Sequence, residues 1–201
     1  MSTTNPVPNH HADFPGFRGL PGLVAALTFT VGRGPTARLA ADLAGVGPGD
    51  QVVDIGCGPG TAVREARRRG AAATGVDPAD VMLRVGRLLS RSDITWAVGS
   101  AEDLPLPESA ATVVWSLATV HHWRDVDAGL AEVRRVLEPG GRFLVTERRT
   151  SAGARGHASH GWTDDQAAAF ADACRVAGLA DVAVRTEQPG GTATLVVTAS
   201  G

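Results

Sequence analysis

One nine-residue stretch of the chain combines an acidic residue with three glycines spaced two apart. It reads Val-Val-Asp-Ile-Gly-Cys-Gly-Pro-Gly over residues 52–60. Glycines at the end of a strand let the backbone approach a ligand closely, because no Cβ stands in the way. A helix that begins at about Thr61 would direct its free N–H groups into the same space. The pattern therefore predicts a binding site for a nucleoside-bearing cofactor.

The spacing of the glycines indicates which cofactor this is. Dinucleotide-binding folds use G-x-G-x-x-G, which would require a glycine at position 61, where the chain has Thr61. The third glycine is instead Gly60, and Asp54 stands two residues before Gly56. The resulting D-x-G-x-G-x-G string resembles the first motif of the class I S-adenosylmethionine-dependent methyltransferases.

A second acidic residue follows about twenty positions later. Residues 73–77, Ala-Thr-Gly-Val-Asp, predict a short strand that ends on a carboxylate, where mononucleotide folds bind ribose. Ionised Asp77 has only acceptor oxygens, so it can accept hydrogen bonds from both ribose hydroxyls. The alternative is that Asp77 caps the next helix.

Three further blocks extend the resemblance. Residues 98–107 resemble the G-D-A-x-x-L-P-F segment of the small-molecule, methyltransferase type 11-like branch, whose Asp-Ala pair meets the adenine. This chain has Ser100 where that branch usually has aspartate, a difference that bears on affinity, while the Ala101 N–H remains available. Residues 113–123 and 133–145 match later blocks in the same order.

The resemblance runs from about Asp50 to Glu147 and implies S-adenosyl-L-methionine as the cofactor. The motif residues together predict these cofactor contacts: Asp54, Gly56, Cys57, Gly58, Gly60, Asp77, Pro78, Ser100, Ala101, Glu102, Ser116 and Leu117. Asp54 would orient the methionyl amino group through a water, or would instead accept hydrogen bonds from the loop.

The elements that position these residues alternate between strands and helices. Apolar runs predict strands near 51–55, 73–77, 94–98, 111–115 and 142–147, and a capping box begins the last helix at Thr163. Two more apolar runs, 181–186 and 193–199, flank a Pro-Gly-Gly turn and predict a terminal hairpin. We expect an α/β, Rossmann-like, doubly wound sheet, mostly parallel with a C-terminal antiparallel hairpin. The resemblance implies seven strands.

Composition limits the other possibilities. The 201 residues fit a single domain over 16–201, after a flexible tail over 1–15 rich in Asn, Pro and His. The net charge of −2 predicts neither nucleic acid nor a membrane surface as a partner. Two cysteines and the lack of a signal-peptide pattern favour a cytoplasmic location, and the chain is expected to be a monomer or homodimer.

The acceptor side of the site is less sharply defined by the sequence. His121 and His122 follow the predicted fourth strand, where either could act as a base. The alternative is that one histidine packs against a helix and the other is solvated. His157 and His160 have helical metal-site spacing but no evident third ligand, so no metal site is predicted.

Apolar residues suggest the wall of an acceptor pocket. Residues 16–34 could form a lid that includes Phe17 and Leu20, or an ordinary packed helix or dimer contact. Trp123 and Trp162 lie in predicted loops at the same edge and are expected to line the pocket.

These observations predict methyl transfer from S-adenosylmethionine to a small, apolar or aromatic acceptor by in-line displacement. An alternative is a non-catalytic regulatory module that binds S-adenosylmethionine or S-adenosylhomocysteine. A nicotinamide oxidoreductase is disfavoured by the residue at position 61 and by the absence of tyrosine from the chain.

Overall fold

A computed structural model describes residues 8–12, 32–90 and 93–201. Its strands are β1 (Gln51–Ile55), β2 (Ala72–Asp77), β3 (Thr95–Val98), β4 (Ala111–Leu117), β5 (Leu137–Arg148), β6 (Ala180–Glu187) and β7 (Thr194–Ser200). They form one sheet in the order β3-β2-β1-β4-β5-β7-β6. Strands β1 to β5 pair in parallel, whereas β7 is antiparallel to both β5 and β6. The predicted mixed, doubly wound sheet is confirmed.

The described residues form five α-helices, which connect or flank these strands. They are α1 (Gly34–Leu43), α2 (Thr61–Arg68), α3 (Asp80–Leu89), α4 (Val126–Val136) and α5 (Asp164–Val176). Short 3-10 turns lie at Val120–His122, Gly156–Ser159 and Pro189–Gly191. Helix α5 begins with the predicted capping box, in which Thr163 and Gln166 exchange side-chain and backbone hydrogen bonds.

Strands β1, β2, β4, β5 and β7 are buried on both faces of the sheet, and their successive residues point to opposite sides. On β5, Phe143 and Val145 pack into the core beneath α4 and α5, whereas Leu144 faces the core formed with α1 and α2. Residues from every central strand divide in the same way, so the sheet holds two helical layers apart. The carboxyl ends of the parallel strands remain at one rim, where ligands bind in such folds.

Strand β5 differs from its prediction. It was expected to begin at residue 142, directly after the Pro-Gly-Gly sequence at residues 139–141, but it begins at Leu137. The turn residues form an irregularity within the strand, where the register against β4 shifts between Ala111 and Val113. On the other side of the strand, Gly140 and Gly141 have backbone hydrogen-bond partners: the Gly140 N–H donates to the carbonyl of Gly201, and the Gly201 N–H donates to the carbonyl of Gly141.

The N-terminal segment that the structure describes is docked rather than detached. Within the predicted tail, Pro8 accepts a hydrogen bond from the Trp162 indole N–H (2.7 Å) and Asn9 donates to the Trp123 carbonyl (3.0 Å). Most of the predicted lid, including Phe17 and Leu20, lies outside the described residues. Among the described helices, none combines the length and apolar character that crossing a membrane requires.

Candidate functional site

The glycine loop joins β1 to α2 at the ligand-binding rim of the sheet. The N–H groups of Gly56 and Cys57 both donate to the carbonyl of Val76 on β2, at 2.8 and 3.0 Å. Gly56, Gly58 and Gly60 have φ angles of +70°, +52° and +78°, which residues with a Cβ rarely adopt. The spacing of the three glycines therefore reflects the backbone conformation of the loop.

The underside of this loop rests on the indole of Trp96. A Cβ built on Gly60 would lie 2.1 Å from Trp96 Cη2, and one built on Gly86 would lie 2.6 Å from the same atom. A Cβ built on Gly75 would lie 3.1 Å from the nearest atoms of the same ring. In contrast, a Cβ on Gly58 would meet no atom of the described residues within 4 Å, so among these residues the loop is packed on one side and open on the other.

Asp77 connects the loop to the next helix. Its Oδ2 accepts from the Gly58 N–H and its Oδ1 accepts from the Ala79 N–H, each at 2.8 Å. The carboxyl is nearly buried, and burial raises its pKa, while these two N–H groups oppose the increase. Each oxygen keeps a second lone pair, so turn formation and hydroxyl binding are compatible.

A half-buried charged group that the motifs did not identify, Arg33, interacts electrostatically with Asp54. Asp54 is 2% exposed, and burial followed by the charge of Asp77 raises its pKa well above the usual range. Arg33 interacts electrostatically with Asp54 and Glu147, which partly offset the lowering of its pKa by desolvation. The sequence motifs did not include Arg33, which lies between Gly32 and Gly34, directly before α1.

Thr119 is a second residue that the motifs missed. The predicted cofactor residue Ser116 is fully buried, and its hydroxyl lies 2.5 Å from the Thr119 hydroxyl. Thr119 donates in turn to the carbonyl of Ile55 (3.1 Å) and lies 2.7 Å from where a Cβ on Gly56 would stand. Thr119 therefore joins the ends of β4 and β1, while Leu117 is half-buried beside them.

The remaining predicted cofactor contacts lie along the same rim. Ala101 is buried, Ser100 is half-buried and Pro78 is exposed at the end of β2. Glu102 Oε1 accepts from the backbone N–H groups of Arg124 and Asp125, at 2.7 and 3.3 Å. Glu102 thus anchors the segment before α4. Contact of Pro78, Ser100, Ala101 and Glu102 with a cofactor stays a prediction.

His121 lies in the 3-10 turn after β4, and a carboxylate on β5 hydrogen bonds to its ring. It is 3% exposed, and its Nδ1 lies 2.8 Å from Oε2 of the fully buried Glu147. The backbone N–H of His121 donates to the other oxygen of the same carboxylate, at 3.3 Å. The carboxylate of Glu147 therefore fixes the orientation of the His121 ring.

His122 and His160 lie next to His121. The centroids of the His121 and His122 rings are 4.1 Å apart, and each ring is 5.5 Å from that of His160. Burial, followed by the neighbouring His121, lowers the pKa of His122 to about 4. A ligating nitrogen from each of the three rings lies within 4.8 Å of the other two.

The docked N-terminal segment completes a larger histidine cluster. The His11 ring stacks on that of His160, with centroids 4.5 Å apart and planes 13° apart. The His10 ring lies 6.0 Å from that of His121. Five of the six histidines in the chain thus lie together. The prediction of no metal site was based on the lack of a clear third ligand beside His157 and His160, whereas the fold places His160 next to His121 and His122.

The predicted pocket tryptophans belong to the apolar core. Trp162 is fully buried with its ring centroid 4.9 Å from that of Phe170, and Trp123 packs against Phe170 and Gly129. Both rings lie on the face covered by α4 and α5. Contact of either ring with an acceptor stays a prediction.

Comparison with known proteins identifies a family pattern over the same region. Residues 53–145 match a family model described as "Methyltransferase domain". That range contains the glycine loop, Asp77, the turn at Ser100 and the two consecutive histidines after β4.

Two curated relatives match this part of the chain. A demethylmenaquinone methyltransferase of Tropheryma whipplei (strain Twist) is 34% identical over 112 residues, which are 55% of this chain and 46% of the relative. A malonyl-[acyl-carrier protein] O-methyltransferase of Serratia marcescens is 38% identical over 99 residues, 49% of this chain and 38% of the relative. The match thus spans less than half of each relative.

The fold is shared more widely than the sequence. A solved S-adenosylmethionine dependent methyltransferase from Mesorhizobium loti superposes with a TM-score of 0.68 at 22% identity. The superposition covers 86% of this chain and all of the other.

Proposed function

We propose that the chain is a class I S-adenosylmethionine-dependent methyltransferase and that it methylates a small, apolar or aromatic acceptor; the methyltransferase family model over residues 53–145 supports this proposal. The name of one relative, which specifies demethylmenaquinone, supports an apolar, aromatic acceptor, whereas the name of another specifies a polar malonyl group on a carrier protein. The alternative, a module that binds the cofactor without transferring methyl, has no such support.

The arrangement of Asp77 against the glycine loop carries this proposal. The carboxylate is already fixed by Gly58 and Ala79, so it does not need to be ordered when ribose hydroxyls bind. The open space above Gly58 allows a ligand to approach the loop backbone. Helix α2 adds its N-terminal N–H groups on the same side.

The charged residues deeper in the rim suit the amino acid end of the cofactor. Asp54 provides acceptors for an ammonium group and Arg33 provides donors for a carboxylate, and the two interact electrostatically. When bound, S-adenosylmethionine supplies a methyl group already activated by its sulfonium. The chain therefore needs mainly to hold the acceptor in line and keep water out.

The predicted role of His122 as a base has weak support. A pKa of about 4 keeps the ring neutral at pH 7 but makes it a poor proton acceptor. His121 is better oriented, since Glu147 fixes its ring. We therefore propose that positioning, rather than proton abstraction by His122, contributes most to turnover.

A labelled-methyl assay tests the proposal. The full chain is incubated with tritiated S-adenosylmethionine and with polar or organic-extractable metabolite fractions, and label is expected in an organic-extractable product. Asp77→Asn should abolish incorporation, because the amide presents donors toward the ribose. Asp80→Asn is the matched control, since Asp80 lies three residues away, exposed and paired with Arg84.

Binding and turnover are measured separately. Saturable heat with S-adenosylhomocysteine but no labelled product in any fraction would favour the non-catalytic module. A folded protein that gives no saturable heat with either cofactor form would refute the site itself.

A further inference from the structure

We propose that His121, His122 and His160 form a binding site for a divalent transition-metal ion of the zinc class. This function goes beyond methyl transfer and does not depend on it. The ligands come from two segments that are distant in sequence. His121 and His122 end the 3-10 turn after β4, and His160 follows the turn Gly156–Ser159.

The separation of the three nitrogens is close to what an ion requires. A four-coordinate zinc ion with Zn–N bonds of about 2.0–2.1 Å places its ligand nitrogens roughly 3.3 Å apart. The nitrogens of the three rings already lie within 4.8 Å of one another. Small side-chain rotations would therefore bring them to bonding distance without moving the strands.

Glu147 provides the outer contact that metal-binding histidines usually have. An ionised carboxylate can only accept, so Nδ1 of His121 donates to Oε2 and the lone pair of the ring lies on Nε2. Both Glu147 oxygens are engaged with His121, which leaves the imidazoles rather than a carboxylate to bind the ion. Glu147 also interacts electrostatically with Arg33, but both of its hydrogen bonds go to His121 and orient that ring.

The other two histidines of the cluster have different contacts. His11 Nε2 lies 3.2 Å from the Ser159 hydroxyl, and His10 is placed between the Ser159 carbonyl (2.9 Å) and the Gln166 amide (3.0 Å). They hold the N-terminal segment against the loop that carries His160. Three protein ligands leave a fourth position for solvent or another oxygen donor, as in catalytic rather than structural zinc sites.

The donor set selects the class of metal. Neutral imidazoles suit Zn²⁺, Co²⁺, Ni²⁺, Cu²⁺ and Fe²⁺, whereas Mg²⁺ and Ca²⁺ require oxygen ligands. Occupation of the fourth position by an oxygen of the methyl acceptor would rest on the proposed function. Binding of the ion itself can be measured without any substrate.

Metal titration of the full chain tests the site. Protein stripped with a chelator is titrated with Zn²⁺ and with Co²⁺, and binding is followed by calorimetry and, for Co²⁺, by visible absorption. We expect one ion per chain, the intense bands of four-coordinate Co²⁺, and no comparable binding of Mg²⁺. At a hundredfold excess of Zn²⁺ over Kd, the melting temperature should rise by roughly 5–10 °C.

Variants separate a metal site from incidental packing of rings. His160→Ala should weaken Zn²⁺ binding by about 100-fold, and Glu147→Gln by about 10–100-fold. His10→Ala is the matched control, because His10 belongs to the cluster but is not one of the three ligands, and it should weaken Zn²⁺ binding far less than His160→Ala does. Since His160 lies in a loop, its variant is expected to fold even if changes at buried His121 do not.

Two results would overturn the site. One is the absence of saturable Zn²⁺ or Co²⁺ binding by the folded chain. The other is binding that survives His160→Ala with unaltered affinity and spectrum. Neither result bears on cofactor binding, so failure of this proposal and failure of the proposed function are distinguishable.

Discussion

Replacement of Gly60 by alanine should destabilise the protein by more than a left-handed glycine alone explains. A non-glycine residue in that conformation costs about 1–2 kcal/mol. The added methyl would also lie 2.1 Å from Trp96 Cη2, and such overpacking costs roughly 1–3 kcal/mol more. The expected loss of unfolding free energy is therefore about 2–5 kcal/mol.

Gly178→Ala is the matched control for the backbone contribution. Gly178 has a φ of +84°, close to the +78° of Gly60, but a Cβ there would meet nothing within 4 Å. It should cost only about 1–2 kcal/mol. Denaturant unfolding followed by circular dichroism measures both losses, provided that the slopes agree.

The contact with Trp96 can be tested directly by a double-mutant cycle. Trp96→Phe removes the ring atoms nearest to Gly60, so Gly60→Ala should cost at least about 1 kcal/mol less on that background. Equal losses for Gly60→Ala and Gly178→Ala, together with no coupling to Trp96, would refute the explanation.

Three further predictions concern binding, thiol chemistry and strand ends. Affinity for S-adenosylhomocysteine should fall as pH drops through the raised pKa values of Asp54 and Asp77, because binding needs both carboxylates; calorimetry should show a shallower slope in Asp77→Asn, where only Asp54 titrates. Cys57 and Cys174 should resist Ellman's reagent at pH 8 until the protein unfolds, since burial raises both thiol pKa values, that of Cys174 to about 12; rapid labelling of the native state would contradict this. Thr119→Val should cost about 1–3 kcal/mol of stability, because the Ile55 carbonyl and the Ser116 hydroxyl lose a partner; an unchanged denaturation midpoint would contradict it.

Several elements were predictable because their causes are local. Strand β1 ends where the glycines begin, α2 starts at Thr61, and the Thr163–Gln166 capping box forms as expected. Apolar alternation and caps act over a few residues, so they can be recognised in a single sequence. The resemblance to a methyltransferase was recognisable for the same reason, since the D-x-G-x-G-x-G motif is short and continuous, and residues 53–145 match a methyltransferase family model.

Other features depend on residues that meet only after folding. Arg33 belongs to no motif, and its interactions with Asp54 and Glu147 arise because the start of α1 lies near the ends of β1 and β5. The docked turn at residues 8–12 was assigned to a mobile tail, because its composition cannot show the hydrogen bonds it makes to distant carbonyls.

The amino-acid sequence alone determined the order of strands and helices, the glycine loop and the carboxylate at the end of β2, because short-range sterics and hydrogen bonding produce them. Tertiary structure alone decided which side chains share the rim. It brought His160 to His121 and His122, and it placed Trp96 beneath Gly60. Such contacts depend on crossover connections and side-chain packing between distant segments, which no local pattern encodes.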